Sequence, residues 1–121
     1  MDKTIMIVED ELHFQDLYKA ILENTDYEII CAYDGNEALE KLDEKRPDLI
    51  ILDILLNMIT GDTLFFYLKS MPGYADIPII IATSASKSTF RNLIEMDPDL
   101  VFLEKTLVWE NLIEEIRNKI G

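Results

Sequence analysis

The sequence predicts an α/β fold, an open and doubly wound sheet of five parallel strands flanked by five helices. Three observations carry this. Short β-branched runs recur five times in 121 residues, the stretches between them have helical spacing, and Pro or Gly punctuates the joins. Runs that are apolar at consecutive positions suit strands covered on both faces, as in a parallel sheet. Strand and helix alternating at this interval give a wound architecture.

The elements follow in order. Thr4-Ile5-Met6-Ile7-Val8 forms the first strand. Phe14, Leu17, Tyr18, Ile21 and Leu22 then fall at i, i+3, i+4, i+7 and i+8, one apolar helical stripe. Glu28-Ile29-Ile30-Cys31-Ala32 is the second strand, in which Cys31 reads as a small core hydrophobe. Ala38, Leu39 and Leu42 mark the second helix, closed by Pro47, and Leu49-Ile50-Ile51-Leu52 the third strand. Leu64, Phe65 and Leu68 mark the third helix, closed by Pro72-Gly73. Ile77-Pro78-Ile79-Ile80-Ile81 reads as the fourth strand and Leu100-Val101-Phe102-Leu103 as the fifth. Between them, Phe90, Leu93 and Ile94 mark a helix ended by Asp97-Pro98; Leu112, Ile113, Ile116 and Ile120 mark the last. No repeat, low-complexity tract or Gly/Ser linker interrupts the chain, so residues 1–121 are expected to form one domain.

Composition narrows the function. The apolar fraction is 49% with 29% charged residues, as in an ordinary globular protein rather than a disordered one. Asp and Glu number 24 against 11 Lys and Arg, a net charge of −13. Such a surface repels nucleic-acid phosphates and anionic membranes, so neither is an expected partner. Cys31 is the single cysteine, which excludes an internal disulfide or a cysteine zinc site. The N-terminus lacks the order of a secretory signal, and apolar stretches such as 77–82 fall far short of a bilayer span. The expected location is cytoplasmic.

In open parallel sheets, sites form beyond the carboxyl ends of the strands. Those positions hold Glu9 and Asp10 after the first strand, Asp53 after the third, Thr83 and Ser84 after the fourth, and Glu104-Lys105 after the fifth. Strands one and three should be neighbours at the switch point, bringing Glu9, Asp10 and Asp53 together. Ionised carboxylates about 4 Å apart repel by roughly 4 kcal/mol per pair at an effective dielectric near 20. The cluster therefore carries raised pKa values or holds a cation, and oxygen-only ligands suit Mg²⁺. The plainer alternative is that these acids are solvated loop residues or caps, with Asp10 capping the first helix.

Other chemistries lack their residues. No G-x-x-x-x-G-K-[ST] or G-x-G-x-x-G occurs, and the four glycines are scattered. The lone histidine, His13, falls in an acidic helical stretch and reads as solvated rather than catalytic.

With these residues in place, the chain resembles the receiver domain of two-component response regulators along essentially its whole length. The matching pieces are Ile7-Val8-Glu9-Asp10-Glu11, Gly35-Asn36-Glu37-Ala38-Leu39, Pro47 to Asp53, Gly61, Ile77-Pro78-Ile79-Ile80 and Phe102-Leu103-Glu104-Lys105. Spacings of 43, 30 and 22 positions separate Asp10, Asp53, Thr83 and Lys105, as the family allows. The resemblance implies a flavodoxin-like fold of the single-domain chemotaxis-regulator kind. It implies that Asp53 is the phosphoacceptor. Glu9, Asp10, Asp53 and the Leu55 backbone carbonyl would hold Mg²⁺ or Mn²⁺. Thr83 and Lys105 would bind phosphoryl oxygens, and Thr83 with Phe102 would form the switch.

The implied partners are a sensor histidine kinase or histidine phosphotransfer domain and an unidentified downstream protein. The face near Phe90, Leu107 and Trp109 is a candidate docking surface, and homodimerisation through it is compatible with the sequence. No turnover of an external substrate is expected. Several positions depart from the family. Thr106 stands where Pro usually follows the lysine, so a cis bond there would be strained. Asn57 replaces the usual Pro after the phosphoacceptor, Phe102 lacks the hydroxyl of the commoner Tyr, and Ser84 replaces a small apolar residue. Two alternatives stay open: a receiver-like interaction module that works without phosphorylation, and an aspartyl-phosphate phosphatase. Against the second, Leu55 stands where such enzymes carry a second Asp.

Overall fold

The computed structural model describes residues 2–56, 60–85 and 91–121. Five strands, β1 (Thr4–Val8), β2 (Glu28–Ala32), β3 (Leu49–Leu52), β4 (Ile79–Thr83) and β5 (Val101–Glu104), form one parallel sheet in the order β2-β1-β3-β4-β5. Five helices connect and cover it: α1 (Leu12–Leu22), α2 (Gly35–Glu44), α3 (Gly61–Ser70), α4 (Arg91–Met96) and α5 (Val108–Ile120), the last preceded by a 3₁₀ turn over Lys105–Leu107.

The uninterrupted apolar runs are explained by two separate cores. Alternate strand residues point to opposite faces. Met6, Val8, Ile50, Leu52, Ile79 and Ile81 pack with Leu42, Phe65, Leu68 and Leu93 of α2, α3 and α4. Ile5, Ile7, Leu49, Ile51, Ile80 and Ala82 pack with Tyr18, Ile21, Leu112 and Ile116 of α1 and α5. All of β1, β3 and β4 is buried, whereas the edge strands β2 and β5 are partly open. Cys31, on edge strand β2, is accordingly only half-buried and not a core residue.

Two predicted strand boundaries move. Ile77 donates its amide to Tyr74 O at 3.0 Å, closing a turn, and Pro78 has no amide to give, so β4 starts at Ile79 and runs to Thr83. Leu100 likewise belongs to a turn through its 3.1 Å bond to Asp97 O, and β5 runs from Val101 to Glu104. Thr83 and Glu104 are therefore the last strand residues rather than loop residues. Helix α2 is opened by Asp34, whose side chain accepts from Glu37 N at 2.8 Å, while Glu37 Oε1 accepts from Tyr33 N at 2.8 Å. This reciprocal capping is the local reason for the Gly35-Asn36-Glu37 stretch.

Candidate functional site

The winding of the sheet reverses between the parallel neighbours β1 and β3, with β2 added on one side and β4 and β5 on the other, and the acidic residues sit beyond the carboxyl ends of β1 and β3. The ladder extends one residue past each strand. Asp53 N donates to Val8 O at 3.1 Å and Glu9 N donates to Ala32 O at 3.0 Å, so the two acids start from adjacent, fixed backbone positions. Both are buried, Glu9 at 1% and Asp53 at 2% exposure, with Asp10 half-buried beside them. One oxygen from each of Glu9, Asp10 and Asp53 lies within 4.8 Å of the other two. Asp10 does not cap α1: Glu11 is at the N-cap without a side-chain cap bond. Glu9 Oε2 instead accepts from Glu11 N at 3.1 Å.

Lys105 reaches this cluster from the end of β5. Its Nζ lies 2.7 Å from Asp53 Oδ2, 2.8 Å from Glu9 Oε1 and 3.7 Å from Glu11 Oε1. The ammonium also sits 4.1 Å from the Phe14 ring centroid, a cation–π contact within a nearly closed pocket. Lys105–Thr106 is not cis; among the described residues no cis peptide occurs, and the 3₁₀ turn begins at Lys105 itself. The absence of Pro at 106 thus leaves the lysine on the carboxylates without the strain that a cis bond would bring.

Glu9 is pushed up to about 7, chiefly by burial and further by the Asp53 charge, against the opposing pull of Lys105 and the Glu11 amide. Burial pulls Lys105 down, but its contacts with Asp53 and Glu9 outweigh that and leave it above the ordinary lysine value. The ammonium therefore keeps its charge beside these carboxylates. Glu9 Oε1 is engaged by the Lys105 ammonium at 2.8 Å. Three carboxylates, each offering one oxygen within 4.8 Å of the other two, make an all-oxygen donor set that fits a hard divalent cation such as Mg²⁺.

The remaining residues frame Asp53. Leu55 N donates to Asp53 Oδ1 at 3.0 Å, and the Leu55 side chain is exposed. Gly61 opens α3 directly against the Asp53–Ile54 backbone. A Cβ there would lie 2.3 Å from Asp53 O and 2.4 Å from Ile54 Cα, and Gly61 N donates to Ile54 O at 3.0 Å. Thr83 is buried at the end of β4, where its Oγ1 accepts from Ala85 N at 3.2 Å. Ser84, Ala85, Glu104, Lys105 and Thr106 line a cavity of about 330 Å³ on the β4–β5 side of Lys105. Phe102 is half-buried against the α2–α3–α4 core.

The arrangement of buried acids, one ammonium and a strand-end hydroxyl can be set beside known proteins. A family model for the response regulator receiver domain matches residues 5–117. The chain belongs to the response regulator receiver domain family. It is 31% identical to the polar-differentiation response regulator DivK of Brucella anthropi, over all of this chain and 98% of that protein. Its fold matches the chemotaxis protein CheY4 of Vibrio cholerae with a TM-score of 0.88, over 99% of this chain and 100% of that one, at 22% identity. A third match is the Mn²⁺-bound form of response regulator Rcp1, TM-score 0.79, 25% identical, covering 96% of this chain and 88% of that one. Receiver domains are the phosphorylation switches of two-component systems, and the acidic pocket of this receiver is of the kind that such a switch uses.

Several expected features find a definite place. His13 is exposed on α1 with Nε2 3.3 Å from Glu11 Oε2, outside the pocket. Trp109 is 61% exposed and Leu107 42%. Phe90 and Asn57 lie outside the described residues. No helix among the described residues is long and apolar enough to cross a membrane. One residue escaped the sequence reading: Gln15 is completely buried on α1, and its amide touches the backbone of Glu9. Its position at 15, three before Tyr18 and seven before Leu22, puts it on the buried face, but its polarity hid it from an apolar pattern.

Proposed function

We propose that this receiver domain, residues 1–121, accepts a phosphoryl group on Asp53 from a phosphohistidine, with Mg²⁺ (or Mn²⁺) held by Glu9, Asp10, Asp53 and the Leu55 carbonyl. The observation that carries the reading is the Lys105 ammonium set between Asp53 Oδ2 and Glu9 Oε1 in a buried, all-oxygen pocket. A divalent ion, when bound, neutralises carboxylate and phosphoryl charge and so makes the approach of one anion to another feasible.

The chain's own residues supply the rest. An oxygen of the Asp53 carboxylate attacks phosphorus as the bond to the imidazole nitrogen breaks, and the imidazole leaves as the neutral group after taking a proton. Lys105 has to move with the phosphoryl group, since it now contacts the oxygen Oδ2; its flexible stem allows this as a point charge. Thr83 Oγ1 already accepts from Ala85 N, leaving the hydroxyl hydrogen to donate to a phosphoryl oxygen. That bond exists in the phosphorylated state only and so biases a two-state equilibrium. Phe102, packed by its ring against the α2–α3–α4 core, follows Thr83 by packing, and the surface of α4, β5 and α5 changes. Water attack on phosphorus restores the carboxylate and releases inorganic phosphate. No external substrate is turned over.

A sensor histidine kinase or a histidine phosphotransfer domain supplies the phosphoryl group, and a downstream protein reads the altered surface. Leu107, two residues after Lys105, and Trp109 at the start of α5 are exposed and offer apolar surface for docking, and a homodimer through the same face is a further use of it. A cytoplasmic location goes with these partners. The test is transfer from a histidine-phosphorylated donor domain: the label should move to the protein as a hydroxylamine-sensitive acyl phosphate and be absent from Asp53→Asn. Donor binding without label transfer would favour an interaction module that works without phosphorylation.

A further inference from the structure

We infer that Gln15 is a positioning residue for the cation site, holding Glu9 in place through its backbone. The inference rests on the reading of Glu9, Asp10 and Asp53 as a divalent-cation site. The Gln15 side chain is 0% exposed, and its Nε2 donates to Ile7 O, Glu9 O and Ala32 O, each at 3.1 Å. An amide nitrogen carries two hydrogens, so three carbonyls share them and one bond is forked.

The three carbonyls differ in kind. Ile7 and Ala32 belong to the β1–β2 ladder and are fixed by the sheet. Glu9 lies one residue beyond β1, where strand pairing ends. Its amide is held by Ala32 O at 3.0 Å and its carbonyl by Gln15, so both peptide planes that flank its Cα are referenced to the sheet. With the backbone held on both sides, the direction of the Glu9 side chain is set, and the carboxylate reaches Lys105 and the Asp53 carboxylate. Gln15 Oε1, by contrast, is buried without a partner. An apolar side chain would avoid that cost, yet it would release the Glu9 carbonyl. Outer groups of this kind alter metal affinity by about 10–100-fold when removed.

The experiment is a calorimetric Mg²⁺ titration of wild type, Gln15→Met, Glu9→Gln and the double variant, with circular dichroism and Tm in chelator recorded for each. Methionine keeps the length and removes the donors. Gln15→Met is expected to weaken Mg²⁺ binding about tenfold or more in a folded protein, and to have no further effect in the Glu9→Gln background. A lower Tm with unchanged affinity, or losses that add fully in the double variant, would overturn the inference. Gln15→Asn, which withdraws the donors by one methylene, carries the same comparison where Gln15→Met does not fold. Wild-type protein that binds no Mg²⁺ would overturn the site reading and this inference with it, whereas binding that Gln15→Met leaves intact overturns the inference alone.

Discussion

Gly61→Ala is the substitution that most directly couples packing to chemistry in this receiver. The added Cβ would lie 2.3 Å from Asp53 O and 2.4 Å from Ile54 Cα, against 3.4 Å or more for ordinary contact. Both obstacles are backbone, so no side chain can rotate out of the way. The start of α3 and the Asp53–Ile54 peptide must separate by about 1 Å, and the 3.0 Å bond from Gly61 N to Ile54 O is lost. Overpacking of this kind costs about 1–3 kcal/mol. For a domain of this size that lowers Tm by roughly 4–12 °C. A misplacement of about 1 Å at a reacting group costs on the order of 100-fold in rate. The assay is the initial rate of phosphoryl-adduct formation with a small-molecule phosphodonor at saturating Mg²⁺, well below the Tm. The rate should fall about 10–100-fold and Tm with it. An unchanged rate at a lowered Tm would show that α3 yields instead of Asp53, and would refute Gly61 as the element that places Asp53.

Two further outcomes follow from the ammonium and from Glu9. Lys105→Met leaves the buried Glu9 and Asp53 carboxylates facing one another, a loss of about 3–5 kcal/mol in chelator, partly relieved when Glu9 takes a proton. Thermal melts should show Mg²⁺ stabilising this variant by more than it stabilises wild type; equal increments would contradict the placement of Lys105. Because the Glu9 carboxyl is raised from 4.5 to about 7, the cation-free folded state binds an extra proton between those values. The stability it contributes is full below about pH 4.5 and is lost as pH rises towards 7. Mg²⁺ displaces that proton, so Mg²⁺ affinity should climb up to about pH 7 and level off above it, with Glu9→Gln flattening the profile. A pH-independent affinity in wild type would count against a protonated Glu9.

Much of this was legible in the chain because the physics is local. The strands of the sheet centre are doubly covered, so Ile5 to Val8 and Leu49 to Leu52 read as unbroken apolar runs and their trailing acids stood out at once. Boundaries failed where turns borrowed apolar residues: Ile77 and Leu100 look like strand but hydrogen-bond within turns. Cys31 misled because an edge strand has the same residue types as a central one while leaving one side open. Gly61 could be matched from sequence, but its reason, a helix start pressed onto the Asp53 carbonyl, needs coordinates. Gln15 shows the limit of apolar periodicity, since a buried polar residue is chosen by the carbonyls it meets, and those lie on two separate strands.

The central claim is that Asp53 accepts a phosphoryl group in a reaction that depends on the surrounding acids. Intact-protein mass after incubation with a small-molecule phosphodonor, with and without Mg²⁺, tests it on wild type and Asp53→Asn. The account predicts a single phosphoryl adduct that requires both Mg²⁺ and Asp53. An adduct that persists in Asp53→Asn, or none in folded wild-type protein with Mg²⁺ bound, would contradict it.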